Sequence, residues 1–412
     1  MINKVGLEMT PRTVYTTIFV TLSPALLVLF FALFQRDRAP PPPPGCTRLG
    51  VPGRGNFEDQ YSKKYAKGGD PTKEKPWTVK ALFVYPLKSA RPIELDNTEV
   101  LPSGLKYDRH FALAHRVTSL PSPTGKVTSE WQPLTAAKFP RMATLETALW
   151  IPDPSARGYA PDSPWVRAGG CLSIRFPFSQ DTDFSLQGLR AWGKILAAQL
   201  GGRPEPMLEI RVPLDPPADR IKSTGCGTQE LRVGATGVRA LDLGPEVDAE
   251  MLARLKYTLG TTNPISLFRV PTAGVRDVCR PKGEKGVDSY PLTLLPLSTP
   301  HALAAALPRS QAIEEMFKFP TIDALSFRAN IYVTGPPAFA EDSWTKARIG
   351  GVEVAVACPR ERCEEDGEGG FRVVGEGKQG VGVLGGVVRE GPIKVGDQIE
   401  VLATGTGSFV AA

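Results

Sequence analysis

Histidine is scarce in this chain, three residues in 412, and its six cysteines (Cys46, Cys171, Cys226, Cys279, Cys358 and Cys363) are scattered, with only the last two close together. The first scarcity argues against a histidine-rich metal site. The second excludes a dense disulfide framework and suits a reducing compartment, where thiols stay free. The sequence has no internal repeat, no array of basic residues interleaved with aromatics and no nucleic-acid module signature, so nucleic acid is set aside as a partner. Charge is not extreme either: 49 Lys and Arg against 43 Asp and Glu leave +6 at pH 7. That excess fits a solvated basic face or an anionic ligand.

Glycine (41 residues) and proline (40) are plentiful, which favours turns and short strands over long helices. The length suits one large domain or two medium ones, with a core that needs no staples. Residues 13–34, "TVYTTIFVTLSPALLVLFFALF", carry no charge and match a transmembrane helix in length. The run leads straight into a charge cluster, so the segment 1–35 reads as an uncleaved N-terminal membrane anchor rather than a signal peptide. Lys4 and Arg12 precede it while Arg36, Arg38, Arg48 and Arg54 follow, an asymmetry that favours a cytosolic C-terminal side. The polyproline run and polar stretch over 36–77 read as a linker, stiff at first and then Gly/Lys-rich, holding the folded part off the membrane.

Beyond residue 77 the pattern is mostly strand. "WTVKALFVYPLK" (77–88), "HFALAHRVT" (110–118), "MATLETALWI" (142–151), "CLSIRFPF" (171–178) and "MLEIRVPL" (207–214) are β-rich or alternate as half-buried strands do. "PIKVGDQIEVL" (392–402) places two β runs around a Gly-Asp turn and predicts a hairpin. Helical signals are fewer: 188–200, 248–260 and 298–307, the last with Ser298 as N-cap and Pro300 in its first turn. The fold class expected is α+β, strand-dominated and barrel-like, with helices packed outside.

Several short segments carry chemistry-bearing residues. In "FRANIYVTG" (327–335) a strand pleat puts Phe327, Ala329, Ile331 and Val333 on one face and Arg328, Asn330 and Tyr332 on the other. Arg328 and Asn330 then form either a solvent face or a fork of donors for a phosphate or a carbonyl-rich ring. "YPLKSARP" (85–92) places Lys88 and Ser89 past a strand end, where ligand-binding loops are common. "LKYDRHFAL" (105–113) sets Asp108 and Arg109 before a strand, and "VDSYPLTLL" (287–295) does the same for Asp288, Ser289 and Tyr290.

"CPRERC" (358–363) is one close cysteine pair, whereas structural zinc wants four ligands and a redox disulfide favours C-x-x-C. In the preceding run Val352, Val354, Val356 and Cys358 alternate onto one face, so Cys358 reads as a buried small hydrophobe. Cys363 lies beyond the strand end beside Arg362, with Arg360 near, and both cations favour thiolate. A lone thiolate serves as soft metal ligand or nucleophile. No histidine stands near in sequence as a base, so the metal reading is preferred.

Taken together and in order, "VYPLKS", "LKYDRHFAL", "FRANIYVTG", "AFAEDSW", the C-x-x-x-R-C cysteines and "IKVGDQIEV" resemble the MOSC-domain family over about residues 77–403. The membrane-anchored eukaryotic branch, similar to the mitochondrial amidoxime-reducing component and its fungal relatives, resembles the chain most. The resemblance implies a MOSC N-terminal β-barrel domain over 78–245, a MOSC domain over 246–405 and a tail over 406–412. It also implies a molybdenum cofactor, a Mo-pyranopterin with a phosphate. Carried across residue by residue, it places the molybdenum ligand and catalytic centre on Cys363. Cofactor contacts fall on Lys88, Ser89, Arg109, Ser289, Arg328 and Asn330, and on Arg362 beside the ligand. Ala137, followed by Lys138, stands where the family usually has an arginine, and the glycine-rich stretch 364–386 is shorter than in relatives.

The function implied is a molybdenum oxidoreductase that reduces N-hydroxylated or N-oxygenated substrates. Electrons would come from cytochrome b5 and its NADH reductase, at the mitochondrial outer membrane or the endoplasmic reticulum. The alternative, prompted by Ala137 and the shortened stretch, is a non-catalytic MOSC module: a cofactor or sulfur carrier, or a membrane-tethered binding protein. Pyridoxal phosphate, linked with some MOSC domains, is discounted because no lysine here has a Schiff-base setting.

Overall fold

The computed structural model describes residues 10–34, 40–119, 127–180, 182–233, 236–271, 291–306, 322–359 and 382–405. The chain divides into two compact units. One comprises residues 1–42 and 175–210, the other 43–174 and 211–412.

In the first unit the apolar stretch forms a helix, Pro11–Phe34, and residues Pro11–Phe31 are long and apolar enough to cross a membrane. Its side chains bury almost nothing in protein. A second helix, Leu186–Leu200, starts at Ser185, whose hydroxyl accepts from the Gly188 amide as an N-cap should.

The second unit is strand-dominated. Its largest sheet has eight strands, in the order Ile399–Thr404, Trp344–Ile349, Val352–Pro359, Val383–Arg389, Leu292–Pro296, Ile331–Thr334, Thr78–Val84 and Ile93–Leu95. A closed five-stranded barrel joins Gly227–Val233, Thr236–Asp242, Ile265–Arg269, Phe111–Thr118 and Ser129–Pro133. Closure is made by a parallel contact between Leu231 and Trp131, which leaves that sheet no free edge. The sheets do not follow chain order: residues 78–95 join the large sheet beside strands from after residue 290, and 265–269 joins the barrel. Of the helices predicted here, Ala249–Leu259 has Asp248 as N-cap and Gly260 in the left-handed region as its stop.

Four expectations are corrected. The stretch from Pro43 to Trp77 belongs to the folded unit instead of being a tether. Phe57 and Tyr65 are buried, and the Phe57 ring meets those of Phe83 (5.2 Å) and Tyr332 (4.4 Å). Burying one such ring stabilises by about 2 kcal/mol, which offsets the ordering of one or two residues. The hairpin over 392–402 does not form. The turn is made, with the Lys394 amide donating to Asp397 Oδ2 at 2.9 Å. Its two arms then part, Gly391–Lys394 pairing with Asn97–Leu101 and Ile399–Thr404 with Trp344–Ile349. Ser298 is not an N-cap, for it is buried and its hydroxyl donates to the Pro336 carbonyl at 2.7 Å. Finally, "FRANIYVTG" is not one strand. Ala324–Phe327 is a 3-10 turn ended by Arg328 at φ 51°, and the strand starts only at Ile331.

Candidate functional site

Two turns at one end of three neighbouring inner strands of the large sheet carry most of the predicted residues. Strand Thr78–Val84 ends there, and strands Leu292–Pro296 and Ile331–Thr334 begin there. The backbone past Val84 is laced to the segment before strand Phe111–Thr118. Arg109 N donates to Tyr85 O (2.9 Å), Phe111 N to Pro86 O (2.9 Å) and Lys88 N to Phe111 O (3.0 Å). Asp108 locks the pair by accepting from the Tyr85 amide at 2.7 Å. Lys88 and Ser89, both half-buried, are thus held on a fixed loop.

The backbone here is strained. Ser89 (φ 67°), Tyr107 (70°), Arg109 (55°) and Arg328 (51°) are four of the five non-glycine residues in the left-handed region among the described residues. Each costs about 1 kcal/mol or more. Such strain persists only where surrounding contacts over-determine the conformation, and it gathers at ligand sites.

Charge is concentrated on the same turns. The Arg328 guanidinium lies 4.3 Å from the centre of the Tyr85 ring and donates to the Ala90 carbonyl at 2.9 Å. Arg109 Nε is 3.7 Å from Asp108 Oδ2, the arginine side chain 22% exposed and the carboxylate 3%. Burial pushes the Asp108 carboxyl up, against the pull of Arg109, the Tyr85 amide, Asn330 and Arg328. Arg109 and Arg328 therefore both act on Asp108, with Lys88 on the adjoining loop.

Asn330 departs from its predicted role. It is fully buried, and its Nδ2 donates to Phe83 O at 3.2 Å while its Oδ1 accepts from Thr293 N at 3.2 Å. Its own amide and carbonyl bond Thr293 O and Phe83 N. The residue extends the ladder by one rung between Leu292–Pro296 and Thr78–Val84, and its amide is used by protein instead of forming a fork with Arg328. The common-face reading of Arg328, Asn330 and Tyr332 fails for the same reason: Arg328 precedes the strand, and Tyr332 is wholly buried.

Sequence reasoning missed Tyr85, whose ring carries Arg328 and whose hydroxyl donates to Ala329 O at 3.3 Å. The signal was a tyrosine three residues before Lys88, in "YPLK". It also left Tyr332 in an exposed-face pattern, though its hydroxyl donates to Ala324 O (2.7 Å) and accepts from Ala329 N (3.2 Å), fixing the turn that bears Arg328.

Ser289, Arg362 and Cys363 lie outside the described residues, as does the side chain of Cys358. The valines before them alternate as expected, Val352, Val354 and Val356 all buried. A bulge between Val356 and Cys358 ends that alternation, and Cys358 pairs with Leu384. One row crosses the sheet from Pro359 through Val383, Leu294 and Ile331 to Leu82. Pro359 and Ile331 are three strands apart on it, about 14 Å. Cys363 stands four residues beyond Pro359, about 13 Å of extended chain. Four residues of chain are thus long enough to span most of the distance from Pro359 to Ile331.

One closed five-stranded barrel, an open eight-stranded sheet and a strained, arginine-bearing turn cluster where inner strands of that sheet meet define a strand-dominated α+β protein. The comparisons narrow it. Two family models match the chain: MOSC N-terminal beta barrel domain over residues 77–200 and MOSC domain over 282–400. Both domains are present, and the chain is a MOSC-domain protein, a family consistent with molybdenum-cofactor binding. A search of curated proteins finds no match.

Proposed function

We propose that this protein binds a molybdenum cofactor and uses it to reduce N-hydroxylated or related N-oxygenated compounds. The observation that carries the reading is the grouping of Arg109 and Arg328 with the buried acid Asp108, beside the Lys88 loop, on turns stiffened by left-handed residues. The donor set fits the group: cations and the Ser89 hydroxyl suit an anionic, phosphate-bearing pterin. When bound, the cofactor would supply the two-electron oxygen-atom chemistry.

The chain's own residues would bind and orient. Arg328, held over the Tyr85 ring, would present its remaining donors, and Arg109 would be kept from swinging away by Asp108. Lys88 and Ser89 would close the loop side, and Cys363 would be the thiolate ligand, with Ser289 and Arg362 beside it. Asn330 would hold the strand ends without touching the ligand. His110, its pKa lowered to about 4 by burial and by nearby Arg269, is neutral at physiological pH and would add no charge. Electrons would arrive from cytochrome b5 and its NADH reductase. The helix Pro11–Phe34 would anchor the protein in the mitochondrial outer membrane.

The test is metal and pterin content of the full chain purified in detergent. Stoichiometric molybdenum that falls severalfold in Arg328→Ala and Lys88→Ala, with folding intact, is the expected result. Folded protein without molybdenum, after expression in a host that makes the cofactor, would falsify the proposal. The internal use of Asn330 favours one second reading, a carrier that holds the cofactor without turnover. Reconstitution with the cytochrome and its reductase separates the two, because only the enzyme reading loses substrate reduction in Cys363→Ala.

A further inference from the structure

The helix Leu186–Leu200 has an apolar side that protein covers only in part. Leu186, Leu189, Gly193, Leu196 and Leu200 recur at three- and four-residue spacing and therefore share one side. Gly193 is buried on that side, and a different side, with Gly188, Ala191 and Ala198, is buried as well. Leu189 and Leu196 are half-buried, but Leu186 is 56% exposed, Leu200 70%, Trp192 52% and the preceding Phe184 95%. Four large apolar side chains this open on one element make an interaction surface.

Two observations say what covers it. First, the helix contacts the membrane-length helix Pro11–Phe34, and the Arg190 guanidinium sits 5.6 Å from the ring centre of Phe31, near that helix's C-terminal end. The exposed side is thus continuous with the surface that meets lipid. Second, residues 184–200 contain no acid, and Arg190 and Lys194, four residues apart, are both exposed on one flank with Trp192 on the other. Leucines on one side, cations able to extend to headgroups and a tryptophan at the border are the composition of a helix lying in the interface plane.

We propose that the helix Leu186–Leu200, together with Phe184, is a second membrane contact. It lies on the bilayer surface beside the anchor, with its leucines among the acyl chains and Arg190 and Lys194 on anionic phospholipid headgroups. A surface helix next to the span would add a second hold on the bilayer, at the cost of a few exposed apolar groups when lipid is absent. The inference rests on Pro11–Phe34 crossing the membrane, and its test reads the two separately.

The full chain is reconstituted into phosphatidylcholine vesicles containing phosphatidylserine. Flotation with the vesicles reports the anchor. Tryptophan quenching by lipids brominated near the headgroup reports this helix, as the difference between the native chain and Trp192→Phe. The expected result is a lipid-quenchable component that Trp192→Phe removes almost entirely and that returns when Leu200→Trp is added to that variant. Glu at both Arg190 and Lys194 should cut it at least twofold and leave flotation unchanged. Quenching of Trp192 by aqueous acrylamide but not by lipid overturns the proposal, because the helix then faces water. Protection from both also overturns it, because protein then covers the face. Failure to float sinks the anchor reading instead.

Discussion

Asp108 and Glu341 are both carboxylic acids shut away from water, at 4% and 0% exposure, and their surroundings could hardly differ more. Asp108 has Arg109 against it, feels Arg328 and accepts from the Tyr85 amide. Glu341, in the 3-10 turn Ala340–Ser343, has the Thr299 hydroxyl at 3.0 Å, the acid Asp342 as neighbour and no partner for Oε2 among the described residues. Burial, with Asp342 adding to it, pushes Glu341 up to about 8, against Thr299 and the backbone amides of Glu341 and Gly382. The difference teaches where an anion can bind. Around Asp108 cations outnumber acids and are ordered by one. Around Glu341 there is an excess of acid, resolved by keeping a proton, and no anion would settle there.

Removing Asp108 should break the comparison most strongly. Asp108→Ala leaves the Tyr85 amide without its acceptor and two arginines without their shared counter-charge, a loss of about 3–5 kcal/mol. Asp108→Asn keeps an acceptor and should lose less. A denaturant midpoint for Asp108→Ala unchanged from the native chain would show that the acid is not what orders the turns.

Glu341 should give the next largest effect, and one with a pH signature. The folded carboxyl keeps its proton to about pH 8, whereas the unfolded chain releases it near 4.5. Between those values the unfolded state binds fewer protons, so stability is full below the window and declines as pH rises through it. After relaxation of the site, the decline is on the order of 2–3 kcal/mol. Glu341→Gln should flatten that slope while holding the Thr299 bond, as thermal midpoints across pH 5 to 9 would reveal. An equal slope in both proteins would place the titration elsewhere.

How much of this was legible in the sequence follows from the range of the interactions. Strands set by local alternation, such as Thr78–Val84 and Phe111–Thr118, were readable, and so were capped helices such as Ala249–Leu259. Arg328 and Lys88 could be named because their segments resemble a family, but the seating of Arg328 on Tyr85 and Ala90 joins residues more than 200 positions apart. No periodicity encodes that. The same limit explains the errors. The Gly-Asp turn near residue 396 forms locally, yet its arms find partners nearly 300 and about 50 residues away. Residues 43–77 looked polar on average, and average polarity hides a single Phe57 placed between two rings. Asn330 looked like a surface donor because a strand pattern assumes two faces, and at its position both are buried.

Tyr85 acts on a smaller scale, as a neutral group that helps order Arg328 alongside the Ala90 carbonyl. Tyr85→Leu removes the face beneath Arg328 and should weaken inorganic phosphate or cofactor binding about fivefold, equivalent to about 1 kcal/mol. Tyr85→Phe keeps the ring and loses only the hydroxyl bond to Ala329, so its binding should stay close to native. Equal losses in the two variants, read by calorimetric titration, would assign the effect to the hydroxyl and not to the stacked guanidinium.

Ser89 offers the smallest effect and the cleanest separation of fold from site. At φ 67° a serine is strained, and glycine adopts the same backbone at no steric cost. If Ser89 were only a turn residue, Ser89→Gly would stabilise by up to about 1 kcal/mol, tempered by the greater freedom glycine gains when unfolded, and would leave binding unchanged. If the strain is retained because the hydroxyl meets an anion, the same substitution should raise the unfolding midpoint slightly and still lower cofactor occupancy. Movement in opposite directions is the expected outcome. Stability and occupancy rising together would remove Ser89 from the site and leave the arginines and Lys88 to hold it alone.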